Sequence, residues 1–468
     1  MAASLAMFAT TSASSAAAVG QGGSQPAEPS PGCAWSHAIN VTYNNVGYLD
    51  SNVNYWYDKV TVPAGASVIF HGQYPSARYF SLGAYVSDPS AKDLSTAGLF
   101  TDYINDTQIA PDPGSSNPFL PGASRVGQTG SWTVTLSGDK PPADPQDRRP
   151  NTLYGGNDQN WPTELMYRVY VADKNFAISG GVGLPQPTVV LADGTQLTGQ
   201  DACNALAVDT TPFTIPTVPL AAYNQLTHLP ANPAYGLPGS GPNAPATNPA
   251  RWYRVVNSCH YTDVYFQAAG YPLPKCPNNI AVTAYPNPDN GYIVANVNRN
   301  FGPAPDGHNV LVVTGRMPTT PATYSGNPKF AGGTQLRYWG LCTNESGVTT
   351  AATGPDGCAY DEQVPLDAQR NYTIVISTPG DRPANAIDRC GVAWLNWGNG
   401  DGAGNPAAAA LMLRTLMPGP SFNQGAQNVL APGLPSDVSA AMGPYMPALQ
   451  YESPSQVEAL GCHPAATR

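Results

Sequence analysis

An internal repeat limits the fold of this chain more than any other feature. Val68-Ile69-Phe70-His71-Gly72-Gln73-Tyr74-Pro75 answers Leu311-Val312-Val313-Thr314-Gly315-Arg316-Met317-Pro318, and Arg78-Tyr79-Phe80-Ser81-Leu82 answers Arg337-Tyr338-Trp339-Gly340-Leu341. Further on, Asp106-Thr107-Gln108-Ile109 answers Asp361-Glu362-Gln363-Val364, Trp132 to Leu136 answers Tyr372 to Ile376, and Leu165 to Tyr170 answers Leu411 to Leu416. One such match would be chance, but five in the same order indicate duplication. Each block is a short run of β-branched and aromatic residues bounded by Gly, Pro, Asn or Asp. No helix-length periodic segment separates them, so the pattern predicts a mainly β chain of two tandem antiparallel sandwiches rather than βαβ units.

Composition agrees. The 468 residues include 47 Gly and 49 Pro, and 11% are charged, against about 25% in a typical soluble protein. The repeat divides the chain into a signal peptide and flexible spacer over 1–32, a first sandwich over 33–205, a Pro-rich linker over 206–249, a second sandwich over 250–425 and a C-terminal extension over 426–468. In that extension Ser453-Pro454-Ser455-Gln456-Val457-Glu458 offers Ser caps, a first-turn Pro and a Ser-x-x-Glu capping box, which predicts a short helix stopped by Gly461.

Ala2 to Gly20 is uncharged and rich in Ala and Ser, and is read as a signal peptide whose true start is expected upstream of Met1. No later segment approaches the ~18 apolar residues of a membrane helix, so no transmembrane span is expected in the mature protein. Eight cysteines without a Cys-x-x-Cys pair suit disulfides in a secreted or extracytoplasmic protein better than a zinc site. The pairings expected are Cys33 with Cys203, Cys259 with Cys276, Cys342 with Cys358, and Cys390 with Cys462.

The paired strands at Arg78 and Arg337, the Leu395-Asn396-Trp397 stretch leading into Leu411-Met412-Leu413-Arg414, and Tyr167-Arg168-Val169-Tyr170 followed by Gly183-Leu184-Pro185 resemble the bacterial domain-of-unknown-function families numbered twelve fifty-four and twelve fourteen. The resemblance implies exported, jelly-roll-like β-sandwiches without an established activity, and it brings no catalytic residues. The Asp401 to Ala410 loop and the cysteines depart from that pattern.

Catalytic motifs are missing: there is no Gly-x-Ser-x-Gly elbow, phosphate loop or dinucleotide fingerprint, and none of the six histidines is spaced as a metal pair. No cofactor or metal is expected. A net charge of -10 without basic clusters excludes nucleic acid as an expected partner. Paired carboxylates leave Asp106, Asp112, Asp361, Glu362 and Asp367 to consider. Asp106 and Asp361 are weak catalytic candidates, because equivalent acids in both copies fit a turn or cap role better than one active site. His71 is a third, since Thr314 replaces it in the other copy.

For ligand binding the candidates are Arg78, Tyr79, Arg168, Arg337, Tyr338, Trp339, Trp397 and Arg414, as aromatic faces and guanidinium forks suited to sugars or anions. The competing roles are Arg–acid pairing at strand ends, and core packing for Trp394 more than for Trp397. Cys259-His260 in the Arg251 to Tyr261 block is also found in one copy only, and Asn399-Gly400-Asp401 lacks the acidic density of a Ca²⁺ loop. The leading expectation is a secreted cell-surface or extracellular binding or structural protein with a glycan or glycolipid as ligand. The alternatives are an extracellular carbohydrate-active hydrolase or lyase with Asp/Glu carboxylates in an interdomain cleft, and an assembly protein without a small ligand.

Overall fold

The structure, a computed structural model, describes residues 33–45, 47–88, 98–127, 130–158, 160–211, 246–254, 285–330, 332–345, 351–400, 406–430 and 433–462. The signal peptide and spacer, the linker from 212 to 245, Cys259 with Cys276, His260, and Asp401 with the four residues after it lie outside the described residues. The first half forms β1 (His37–Ile39), β2 (Val53–Val60), β3 (Ser67–Gln73), β4 (Ala77–Val86), β5 (Leu99–Asn105), β6 (Ser131–Ser137), β7 (Thr152–Tyr154), β8 (Thr163–Ala172), β9 (Gln186–Val190) and β10 (Gln196–Thr198), then helix α1 (Gly199–Ala205). The second half forms β11 (Tyr253–Arg254), β12 (Asn290–Asn298), β13 (Val310–Arg316), β14 (Leu336–Asn344), β15 (Cys358–Tyr360), β16 (Asn371–Ser377), β17 (Val392–Asn396), β18 (Ala408–Pro418) and β19 (Ala448–Glu452), with helices α2 (Pro435–Met442) and α3 (Pro454–Ala459).

Each half is a two-sheet sandwich. A front sheet β1-β2-β8-β4-β5 packs on a back sheet β10-β9-β3-β6-β7, and β11-β12-β18-β14-β15 packs on β17-β16-β13-β19. The repeat holds at the level of register: Ser81 pairs with Arg168 as Gly340 pairs with Arg414, and Val68 pairs with Leu136 as Leu311 pairs with Ile376. Trp35, Trp56, Phe80, Trp132 and Tyr167 build the first core, and Trp252, Trp339, Tyr372 and Trp397 the second.

The structure corrects three details. The sheets are not purely antiparallel, because β7 runs parallel to β6 and β17 parallel to β16, each after a connection long enough to return the chain to the same end. The second sandwich does not stop at 425: β19 pairs with β13 as β9 pairs with β3. The same tryptophan bond marks both places, Trp35 Nε1 donating to Pro185 O at 2.6 Å and Trp252 Nε1 to Pro447 O at 2.8 Å. Finally, Ser453 caps α3 in a box with Gln456 rather than Ser455 with Glu458. Cys33–Cys203, Cys342–Cys358 and Cys390–Cys462 are bonded as expected.

Burial separates the two kinds of sheet. In the back sheet β3 and β6 alternate between core and surface, whereas every residue of β4 and β14 is buried, and so is nearly all of β8 and β18. Strands buried on both faces need a second layer outside the sandwich. For these front sheets that layer is the other half of the chain.

Candidate functional site

The candidate residues converge on the seam between the two front sheets, where contacts are exchanged in reciprocal pairs. Arg78 Nη1 donates to both Asp361 oxygens at 2.9 and 3.0 Å, its Nη2 donates to Glu362, and its Nε donates to Thr323 Oγ1 at 2.6 Å. Its counterpart Arg337 reaches back to Asp106 at 3.4 Å. Arg78 donates to the Arg337 carbonyl at 3.3 Å and Arg337 to the Arg78 carbonyl at 3.4 Å. Each acid is anchored within its own half by the equivalent N–H, Phe80 to Asp106 at 3.2 Å and Trp339 to Asp361 at 3.1 Å.

The same exchange continues along the seam. Tyr338 OH donates to Asp50 at 2.5 Å, and Tyr79 OH donates to Asp289 at 2.8 Å and to Asn287 at 3.3 Å. Asp50 and Asn287 occupy matching turns, each accepting the N–H two residues on, from Asn52 at 2.9 Å and Asp289 at 3.1 Å. Arg414 donates to Tyr48 O and Arg168 to Tyr285 O, and both tyrosines hold a left-handed backbone with φ of 55° and 53°. Between these polar pairs Val53, Tyr79, Tyr170 and Val171 of the first half pack with Tyr338, Tyr360 and Leu416 of the second. Rings of Tyr79, Tyr170 and Tyr338 follow one another at 5.1 and 5.4 Å.

Electrostatically the two sides differ. Burial works against the Arg78 charge, but Asp361 and Glu362 outweigh it and raise its pKa. Burial likewise pushes Glu362 up, yet Arg78 and the Ser325 hydroxyl and N–H hold it below its usual range. Across the seam Thr107 stands where Glu362 does. There burial pushes the Asp106 carboxyl up to about 7 against the pull of Arg337, and burial lowers the Arg337 pKa despite Asp106.

Placement corrects the expected ligand set. Arg78, Tyr79, Arg168, Arg337, Tyr338, Arg414, Asp106 and Asp361 have at most 9% of their surface exposed. The space read as an interdomain cleft is filled by the other half, because each front sheet presents apolar and aromatic area that the opposite sheet and the loops at Tyr48 and Tyr285 cover. Trp339 and Trp397 lie in the second core, each 1% exposed. The expected roles of Trp394 and Trp397 reverse, since Trp397 is buried and Trp394 is the partly exposed ring, with the Arg382 guanidinium 4.5 Å above it. His71 is exposed in the back sheet, opposite Thr133 and Gln186, apart from the acids of the seam. Asp50, Cys342 and Cys358 are the only grouping of metal-ligand type among the described residues. Their sulfurs are bonded to each other and Arg414 sits 3.5 Å from Asp50, so the donors fit an ion pair beside a disulfide rather than a metal.

Sequence reasoning missed Tyr48, Tyr285, Asp50, Asn287 and Asp289. A signal existed: the strands at Arg78, Leu165, Arg337 and Leu411 lack polar alternation, which already requires cover on both faces. A shallow cleft of about 430 Å³ lined by Lys59, Thr61, Pro162 and residues 207–211 includes none of the expected residues.

No protein-family model matches the chain, and no curated protein matches it. Among solved structures it is similar to an uncharacterised protein from Burkholderia cenocepacia, with a TM-score of 0.44 and 11% identity over 88% of this chain and 79% of that one. A protein from Vibrio parahaemolyticus is similar with a TM-score of 0.38 and 9% identity, over 86% of this chain and 90% of that one.

Proposed function

We propose that this chain is an extracytoplasmic binding or structural protein, and that it engages glycans or glycolipids through the outer surface of its double sandwich. The observation that carries the reading is the seam itself. The arginines, acids and tyrosines of the facing sheets are engaged with each other, so recognition falls to the exterior. That exterior is poor in charge, which favours an uncharged polyhydroxyl ligand over nucleic acid or an acidic polymer. Three disulfides support an oxidising compartment.

Exposed rings mark where a sugar would stack. Tyr43 is 48% exposed on a loop that Asn40 pins to its own backbone and Asn45 pins to Ala352 of the second half. Tyr324 is 39% exposed, with its N–H held by Glu362. A tyrosine on an anchored loop offers an apolar face at low entropic cost. The test is a glycan array and a cell-wall pull-down with the intact chain, Tyr43→Ala and Tyr324→Ala. Binding that drops by about tenfold or more in either variant, as loss of a stacking ring predicts, supports the reading. No binding to any glycan, or binding unchanged in both variants, overturns its ligand part.

A further inference from the structure

We infer that the seam is an isologous protein–protein interface: the chain is a fused dimer of sandwiches, and its halves recognise each other without needing the covalent link. An interface between two copies of one fold is self-complementary, so that residue i touches j while the counterpart of j touches the counterpart of i. Four sets of contacts, from three pairs of equivalent residues, follow that rule. Arg78 meets Asp361 while Arg337 meets Asp106, and the two arginines exchange carbonyls. Tyr338 meets Asp50 while Tyr79 meets Asn287, and Arg414 meets Tyr48 O while Arg168 meets Tyr285 O. Two domains merely tethered by a linker would have no reason to match contacts position by position. The partner this surface fits is therefore the front sheet of a second sandwich of the same kind, presented here by the same chain.

The cysteines make the inference testable in the folded protein. Cys33 and Cys203 are the only cysteines before residue 212 and are bonded to each other, so a cut in the linker leaves no disulfide between the halves. A specific protease site is inserted at Gly239-Ser240 of the full chain, the protein is purified intact, cut, and followed by size-exclusion chromatography with light scattering during dilution. The expected result is a single 1:1 particle that persists below about 1 μM, a strength typical of specific interfaces. Separation of the fragments at micromolar concentration overturns the inference. The same cleavable protein carrying Arg78→Ala, shown by circular dichroism to be folded before cutting, is expected to dissociate at least about tenfold more readily, since its loss leaves Asp361 and Glu362 buried without their partner from the other half. Fragments that stay together equally well with and without Arg78 would also overturn it, because the contacts that hold them would then lie outside the exchanged set.

Discussion

Arg78 and Arg337 occupy the same place in the two copies but work against different surroundings. Arg78→Ala would leave Asp361 and Glu362 buried beside each other, at a cost of about 3–5 kcal/mol. Arg337→Ala leaves only Asp106, a carboxyl that burial has already pushed up to about 7. At pH 6 the urea midpoint should therefore fall further for Arg78→Ala than for Arg337→Ala, and equal losses would show that the sides are equivalent. The Asp106 carboxyl also sets a pH dependence. Its pKa is raised in the folded state from 3.8 to about 7, so within that window the folded protein binds more protons than the unfolded one. Its contribution to stability thus falls as pH rises from about 4 to 7 and is constant above. Midpoints measured across that range should decline with pH more in the wild type than in Asp106→Asn, and parallel curves would exclude the titration. Gly340 faces the seam where a Cβ would lie 2.5 Å from the Tyr338 hydroxyl and 2.8 Å from Asp50 Oδ2. Gly340→Ala must displace that bond, and a loss of about 1–3 kcal/mol in denaturant unfolding is expected.

Among the secondary-structure elements, α3 illustrates how a segment beyond the expected boundary belongs to the sandwich. Val457 packs on Val310, Val312, Val375 and Ala386, covering the outer face of β13 and β16, while Asn385 Nδ2 donates to Val457 O and Gly461 O, both at 2.8 Å. Cys390–Cys462 clamps the arrangement across a separation of 72 residues. Replacing both cysteines with serine should cost about 2–4 kcal/mol and let limited proteolysis clip the chain near Ser453 before global unfolding. Clipping at the wild-type rate would mean that α3 is held by packing alone. Strand blocks, a short C-terminal helix and the oxidised state of the cysteines were legible in sequence because each depends on local chemistry or on Gly/Pro-bounded runs, whereas the pairing of cysteines 72 and 170 residues apart is fixed by the fold that brings them together. By contrast β19 was not, since Ala448-Leu449-Gln450-Tyr451-Glu452 has little sequence in common with Gln186 to Val190 and is identified only by its pairing with β13.

For the molecule as a whole, the seam couples two sandwiches that each have a core of their own. A shared apolar cluster flanked by exchanged ion pairs makes separate melting unfavourable, so calorimetry should record one cooperative transition, with matching calorimetric and van't Hoff enthalpies. In the double variant Arg78→Ala, Arg337→Ala the transition should resolve into two. Two transitions in the wild type would show that the halves unfold independently and that the seam adds little.

The strands, the duplication, the oxidised cysteines and the duplicated Arg–acid pairs can be read along the chain, because periodicity, turn chemistry and repeated motifs are local, whereas the seam partners Tyr48, Asp50, Tyr285, Asn287 and Asp289 carry no such local mark. Arg78, Arg337, Asp106 and Asp361 stand out there and match as equivalents. What they do depends on long-range packing. A motif repeated in two copies is compatible with pairing inside each half, with an open cleft, or with exchange between halves, and these differ in geometry that no local pattern encodes. Desolvation selects among them: front sheets without polar alternation must be covered, and covering each with the other half buries the charged groups where the opposite half supplies their counter-charges and acceptors.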